Sequence, residues 1–507
     1  MTQLGQTKPD GYGIDFGTTN SVVAVSWRGS PSVRTKPLLA DGSLPHPSVV
    51  WYQGSREPIV GRTAKNNMLG FADAPGNFFV SSIKRSLGRG SDVSIFGTKH
   101  PVWEVAAEIF KHLKHEAYAE GVDLKDAVVT IPVDFDGRAR RELRKAADHA
   151  GIFIKTFVHE PFAAVVGYLY SEKEVDKLEA REGQIVLVFD WGGGTLDITV
   201  AKIQNGMVCQ LANAGFVDRS GDHFDGVLAN CAKTKFRDRN QVPADRFVLQ
   251  PSAKDRLRTE CELRKIDLSS KEEASISLRL FFTSDGRVLD LSESVSRTQF
   301  EEMIKRDVDD ALRAMESVLE SAGLRPADVD LALAIGGTSR IPTIRKEMHD
   351  RFGTTMVHVE NADTVIAEGA AFVDAMELHP VLARSICVEL SDGSHHEVFR
   401  AGEIAKKDVC SKELVFFCTD NRDGQARLIV KEGGGPFKAD FSTRLVLSVP
   451  VSPELPKPYN HERVTARFVI DEDMVLRVSA KAATQAEGKE DEVYDLHFAL
   501  KSFGDAR

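Results

Sequence analysis

The sequence predicts an α/β protein made of two similar halves, followed by an all-β domain. Three observations carry that prediction. The segment YGIDFGTTNSVVAV, from residue 12, returns in altered form as LVFDWGGGTLDITVAKI, from residue 187. Apolar strand-like runs alternate with helical periods through the long first part of the chain. Near residue 380 that texture gives way to short strands separated by turns.

Each repeated unit reads as an apolar strand, an Asp, a bulky apolar residue, a Gly-rich turn with Thr, and a second apolar strand. That is a β-hairpin with a tight turn. A plain buried strand gains nothing from Asp15, Gly17, Thr18 and Thr19 in its middle. Two such hairpins, around Asp15 and Asp190, imply two halves facing each other. AVVTIPVDF (127–135) reads as a buried strand ended by Pro132. GRARRELRKAADHAG reads as the following helix, closed by Gly151. Its basic residues alternate with Glu142, Leu143 and Ala at helical spacing, which predicts a solvated helix face. PFAAVVGYLY is a helix with Pro161 in its first turn, and DLALAIGGTSRIPTIRKEMHDRF is strand, Gly-Gly turn and helix.

MELHPVLARS loses the helical period. This sets a first domain at 1–374, a linker at 375–384 and a β-domain at 385–507. The expected strands of the last are SICVEL, ELVFFC, ARLIVK, RLVLSV, VTARFVI, VLRVSA and YDLHFAL, punctuated by SDGS, DNRDG, KEGGGP and SPELPKP. Such punctuation reads as a β-sandwich.

At 507 residues the chain exceeds one ordinary core. Its net charge of −10 lacks the basic footprint of a general nucleic-acid binder. The six cysteines form no CxxC, which favours reduced thiols and gives no zinc pattern. MTQLGQTKPDG is polar, and no apolar run reaches membrane-spanning length, so a cytoplasmic protein without a membrane partner is expected.

Glycine lets backbone N–H groups approach a phosphate, and Thr hydroxyls add donors. A carboxylate beside such a turn repels phosphate directly, yet it can serve it through Mg²⁺ and its water shell. One copy would read as an ordinary hairpin tip. Two copies in equivalent contexts point to a nucleotide phosphate tail clamped between the halves. There is no G-x-x-x-x-G-K-[ST], and GYGIDFG has the wrong spacing for G-x-G-x-x-G, so P-loop and dinucleotide folds do not fit.

These segments resemble the actin-like ATPase superfamily and, within it, the heat-shock protein 70 (DnaK-type) chaperones. GIDFGTTNS looks like that family's first phosphate loop, FDWGGGTLD its second and IGGTSRIP its adenosine motif. VTIPVDF and HEPFAAVVGY look like its connecting elements, and SSIKRSLGR like the segment with its catalytic lysine. VTARFVIDEDMVLRVSAK resembles the closing strands of its peptide-binding sandwich. The resemblance implies an actin-like (ribonuclease H-like) two-lobed ATPase domain followed by an all-β sandwich. It implies ATP/ADP, Mg²⁺ and K⁺, with Asp15, Asp190 and Asp197 organising the metals through water.

By the same resemblance Gly17, Thr18, Thr19, Asn20, Gly192, Gly193, Gly194 and Thr195 cradle phosphates, with Gly221 nearby. Lys84 holds the attacking water and Glu160 positions it; Asp197 and Thr195 belong to the same catalytic group. Glu262, Lys265, Gly336, Gly337, Thr338, Arg340 and Asp363 contact the nucleoside, Arg340 as a cation stacked on the base. Pro132 and Arg140 relay the nucleotide state to the β-domain.

The sequence also departs from the family. Little chain follows the last strand, so a helical lid is not expected. Only Val381 and Leu382 match the apolar linker. Ser220 replaces the first Gly of a usual Gly-Gly pair, and His223 an acidic residue. Thr156 and His159 stand where an Arg and an Asn help receive a J-domain protein, which argues against that partner. The expected function is ATP-controlled binding of extended polypeptide, with a nucleotide-exchange factor among the partners. The alternatives are a nucleotide-gated scaffold for one dedicated protein and, behind it, a sugar or glycerol-type kinase. The kinase would need its adenosine motif late in the chain, not at 335–342.

Overall fold

A computed structural model describes residues 8–28, 34–39, 45–54, 56–71, 74–171, 181–216, 219–284, 286–404, 410–434, 440–453 and 462–501. Parts of the KEGGGP and SPELPKP turns, most of MTQLGQTKPDG and the residues after 501 lie outside these ranges.

The first hairpin is β1 (Gly11–Asp15) and β2 (Asn20–Trp27), antiparallel, with Gly13 opposite Ala24. β3 (Arg34–Leu38) pairs antiparallel with β2, and His46–Pro47 also pairs there. On the other side of β1, β4 (Asp126–Ile131) and β5 (Phe153–His159) add in parallel, giving the order β5-β4-β1-β2-β3. The second sheet repeats this plan. β6 (Ile185–Trp191), β7 (Leu196–Gln204) and β8 (Met207–Phe216) are antiparallel, while β9 (Leu331–Ile335) and β10 (Met356–His358) add in parallel. The order β10-β9-β6-β7-β8 matches the first sheet strand for strand. The repeat seen in two hairpins therefore extends to whole sheets.

Helices follow equivalent strands. α1 (Val102–Ala119) covers the first half together with α2 (Gly137–His149), which Asp136 caps by accepting from Ala139 N at 3.0 Å. α3 (Glu160–Ser171) follows β5; α4 (Gly221–Arg239) and α5 (Pro251–Leu268) belong to the second half, and α6 (Val365–Ala375) follows β10. α6 presses on β1 so closely that a Cβ on Gly13 would stand 2.2 Å from Ala371 N. Where α3 and α6 cross, a Cβ on Gly369 would stand 1.8 Å from Ala163 O. These two glycines let the paired helices hold the halves face to face. Among the described residues no helix is long and apolar enough to cross a membrane.

Beyond α6 stand two four-stranded antiparallel sheets. One runs in the order 395–399, 385–389, 425–433, 442–450, and the other 411–418, 462–470, 476–482, 489–493. Phe399, Val430, Phe468 and Val478 are fully buried in the core they share. The strands 395–399 and 489–493 are additions to the expected set.

YDLHFAL does not form the expected sandwich strand. Its end continues into a strand at Phe498–Lys501 that leaves the sandwich for the second sheet. There it lies between β8 and the strand β11 (His379–Leu382), and we call it β12. Val208 faces Leu500, and Leu382 faces Phe498. Phe498, Ala499 and Leu500 are all buried, as in a strand covered on both faces. The outer edge of β11 meets the sandwich through Leu382 N to Glu403 O at 2.9 Å and a Val381–Ile404 bridge.

The basic helix is also not the solvated face expected. Arg140 and Arg144 are buried, and with Arg141 they grip the sandwich. Arg140 donates to Asp473 O (2.6 Å), Tyr494 O (2.9 Å), Met474 O (3.3 Å) and, at home, Phe135 O (2.5 Å). Arg141 donates to Glu492 Oε1 (2.7 Å) and Asp471 Oδ2 (3.0 Å). Helical spacing cannot disclose partners that lie so far along the chain.

Candidate functional site

A cleft of about 370 Å³ opens between the two sheets, and both hairpin turns line it. Asp15, Gly17, Thr18, Thr19, Asn20, Lys84, Glu160, Asp190, Gly192, Gly193, Gly194, Thr195, Gly336, Gly337 and Asp363 share that lining. Asp197 instead faces a small adjoining cavity with Pro132, Asp134, Glu160 and Asp190. Gly221, Glu262, Lys265, Thr338 and Arg340 stand behind the lining. Lys265 Nζ meets Gly221 O at 2.9 Å and Asp225 Oδ1 at 2.7 Å, and Thr338 Oγ1 donates to Gly192 O at 2.9 Å. Arg340 is paired with Asp363 at 2.9 Å.

The strands aim the acidic residues. Asp15 ends β1 and accepts from Thr130 Oγ1 of β4 at 2.9 Å. Asp190 and Asp197 sit directly opposite each other in the second hairpin. Glu160 opens α3, and its Oε1 is 2.6 Å from Lys84 Nζ. Lys84 comes from a short 3₁₀ turn, Ile83–Ser86, entered through Ser82 at φ 58°. The first turn is braced by Ser21 Oγ, which accepts from Gly17 N at 3.2 Å, and by Ser48 Oγ, which donates to Gly17 O at 2.9 Å.

One lysine thus faces four carboxylates, of which Glu160 is buried and Asp15, Asp190 and Asp197 are partly buried. Burial pushes Glu160 up to about 7, with Lys84 pulling the other way and Asp15 and Asp197 reinforcing the rise. Burial raises Asp197 to about 6 and Asp190 well above the usual carboxylate range, the latter aided by Glu160 and Asp197. Asp15 is raised by burial too. Burial alone would lower Lys84, but Glu160, Asp15 and Asp197 outweigh it and hold the ammonium charged. Such a cluster calls for further positive charge.

The residues present fit a magnesium nucleotide. Thr19 Oγ1 is buried without a partner, a donor waiting in the cradle. A Cβ on Gly193 would stand 2.7 Å from that oxygen, and one on Gly194 2.8 Å from Thr18 Cγ2, so side chains there would fill the space between the turns. Gly336 holds φ 77° and passes so close to Trp191 that a Cβ would lie 2.5 Å from its carbonyl oxygen. Among the described residues no three acidic, imidazole or thiol groups stand close enough to hold a metal directly.

Sequence reasoning missed Lys65, whose Nζ crosses from the first half to Glu262 Oε1 at 2.6 Å. It also missed Arg85 and Asp134 in the lining. Arg85 is adjacent to Lys84, a signal within reach; nothing local marks Lys65. Two of the departures take definite shape. His223 Nε2 lies 3.3 Å from Asp307 Oδ2, held against a helix of the second half. His159 is buried beside Phe162, and burial, then Arg140 and His497, hold its pKa down near about 3. The receiving surface that the resemblance assigns to His159 is therefore covered here.

A family model described as "Hsp70 protein" matches residues 12–104 and 90–496. The chaperone protein DnaK of Thermosipho melanesiensis is 31% identical over 490 residues, which are 92% of this chain and 77% of that protein. The chaperone protein DnaK of Thermotoga neapolitana is 30% identical over 498 residues, 94% of this chain and 79% of that protein.

Proposed function

The chain belongs to the Hsp70 family, whose members are ATPases that bind ATP and ADP with Mg²⁺, and from that premise we propose an ATP-driven chaperone cycle run by the residues described above. The supporting observation is the meeting of two Gly/Thr turns, one from each half, above a single lysine and four carboxylates. In this reading residues 1–374 form the two actin-like lobes, 375–384 the linker and 385–507 the polypeptide-binding sandwich.

Bound Mg²⁺ would neutralise phosphate charge and orient the phosphate oxygens. Asp15, Asp190 and Asp197 would hold it through water, with K⁺ as a second cation. Backbone N–H groups of both turns and the Thr18, Thr19 and Thr195 hydroxyls would donate to phosphate oxygens. Lys84 Nζ would donate to the attacking water's site and offset terminal-phosphate charge. Glu160, raised to about 7, can exchange a proton near neutrality. Lys265, Arg340 and Asp363 would receive the nucleoside.

Pro132 touches both cavities, and Arg140 reaches from the same segment to three sandwich carbonyls. That path would carry the nucleotide state. The sandwich holds a groove of about 1240 Å³ lined by Val388, Leu390, Leu414, Phe416 and Phe417 among others. Val415 and Phe417 there are about half exposed, suiting an extended apolar segment. A nucleotide-exchange factor and a cytoplasmic setting complete the reading.

A peptide array scored with and without MgATP tests it. Broad binding of apolar extended peptides, weakened by ATP, supports a general chaperone. Silence across the array, with nucleotide still bound, favours the scaffold for one dedicated partner, the reading that Thr156 and the buried His159 support.

A further inference from the structure

Arg85 follows Lys84 in the same 3₁₀ turn, but the two side chains go different ways. Lys84 turns to Glu160, whereas Arg85 crosses the cleft and donates through Nη2 to the carbonyl oxygen of Gly194 in the second phosphate turn. Its Nε is buried and has no partner. Among the described residues no carboxylate forms an ion pair with it, although Glu160, Asp15 and Asp190 line the same cleft. A half-buried guanidinium with an unused donor and no counter-charge is complementary to an anion. Its planar fork can keep one arm on Gly194 and present the others to phosphate oxygens.

Its place along the tail follows from the neighbours. Lys265 and Thr338 gather around Gly221, Gly192 and Gly193, on the side assigned to the nucleoside. Arg85 stands at Gly194 and Thr18, beside Lys84. A phosphate chain entering from the nucleoside side ends there.

We propose that Arg85 is a second cationic contact for the terminal phosphate, so that it distinguishes the triphosphate from the diphosphate while tying the two turns together. This rests on the nucleotide-binding reading above. The test is calorimetric titration of the full chain with MgATP and with MgADP, for the wild type, Arg85→Ala and Arg85→Lys. Loss of a charge-assisted contact predicts that Arg85→Ala weakens ATP by about tenfold or more, and ADP by less than about threefold. Arg85→Lys, which keeps the charge and loses the fork, falls between. It also serves as the readout should melting show that the alanine variant is misfolded. Equal loss for both nucleotides makes Arg85 a structural brace on Gly194 and overturns the proposal, as does no loss for either. A wild type that binds neither nucleotide overturns the nucleotide reading as well, an outcome separate from an unchanged ATP-to-ADP ratio.

Discussion

Arg144 Nε stands 2.7 Å from Asp473 Oδ1, and the two side chains are only 9% and 10% exposed. The same guanidinium donates to Ile154 O at 2.6 Å and Glu472 O at 2.7 Å, so it joins β5, α2 and a sandwich turn at one point. Removing one partner of a buried pair leaves the other charge uncompensated, at a cost of roughly 3–5 kcal/mol. Asp473→Ala is expected to release the sandwich from α2. Small-angle scattering should then show a larger radius of gyration, and the amides of β11 should exchange faster. Asp473→Asn, which keeps an acceptor, should do less. An alanine variant as compact as the wild type would show that the pair does not hold the arrangement.

Lys84 should be needed for chemistry more than for binding. Removing one preorganised charge from a transition state costs roughly 10²–10³ in rate. Lys84→Ala is expected to lose single-turnover hydrolysis by that factor while MgATP still binds, and wild-type turnover would end the assignment.

His159 makes the fold acid-sensitive. Its folded pKa is near about 3, below its ordinary value of 6.5, so the unfolded chain takes up the proton first. Stability therefore falls as pH drops through 6.5 and keeps falling until about 3. By pH 4.5 the loss from this one group is roughly 3 kcal/mol. Urea unfolding of the wild type and His159→Asn at pH 7.5 and pH 4.5 reads it as a double difference, which cancels the packing change. Equal pH dependence in the two proteins would refute the claim.

A generic J-domain should scarcely stimulate hydrolysis. Thr156 is too short to reach a carboxylate on a partner, and its hydroxyl points back to Phe157 O at 3.4 Å. His159 is covered. Losing one charge-assisted bond weakens docking about tenfold or more. Single-turnover rates with and without a micromolar J-domain should agree within about twofold; strong stimulation would remove the main support for a dedicated partner.

The groove is expected to bind through its apolar floor. Phe417→Ser removes about half-exposed aromatic surface, and peptide captured by the wild type should bind the variant several-fold more weakly by fluorescence anisotropy.

What the sequence disclosed was what local chemistry encodes. Asp15 and Asp190, each ahead of a Gly/Thr turn, were legible as a repeat because a tight turn at a phosphate restricts residue type. The cleft lining followed from them. Long-range pairing was not legible. Arg140, Arg141 and Arg144 look like any solvated stripe until Asp471, Asp473 and Glu492 arrive from the far end of the chain. YDLHFAL carries a strand's apolar content, but nothing in it names the sheet that it joins. The pair of 395–399 with 385–389 is hard to read from sequence because His395, His396 and Glu397 are exposed and polar, and leave only the adjacent Val398 and Phe399 to mark the strand, with no alternation.

β12 sets the timetable on the ribosome. β8 is made early, yet its neighbour at Val208 is Leu500, which emerges nearly three hundred residues later. At about 5–20 residues per second, β8 waits roughly 15–60 s with its edge unpaired. Met207 and Cys209, buried in the finished molecule, are uncovered on that nascent edge. Unpaired edges recruit stray strands, so a protein proposed to guard other chains against misassembly passes through the same hazard during its own synthesis.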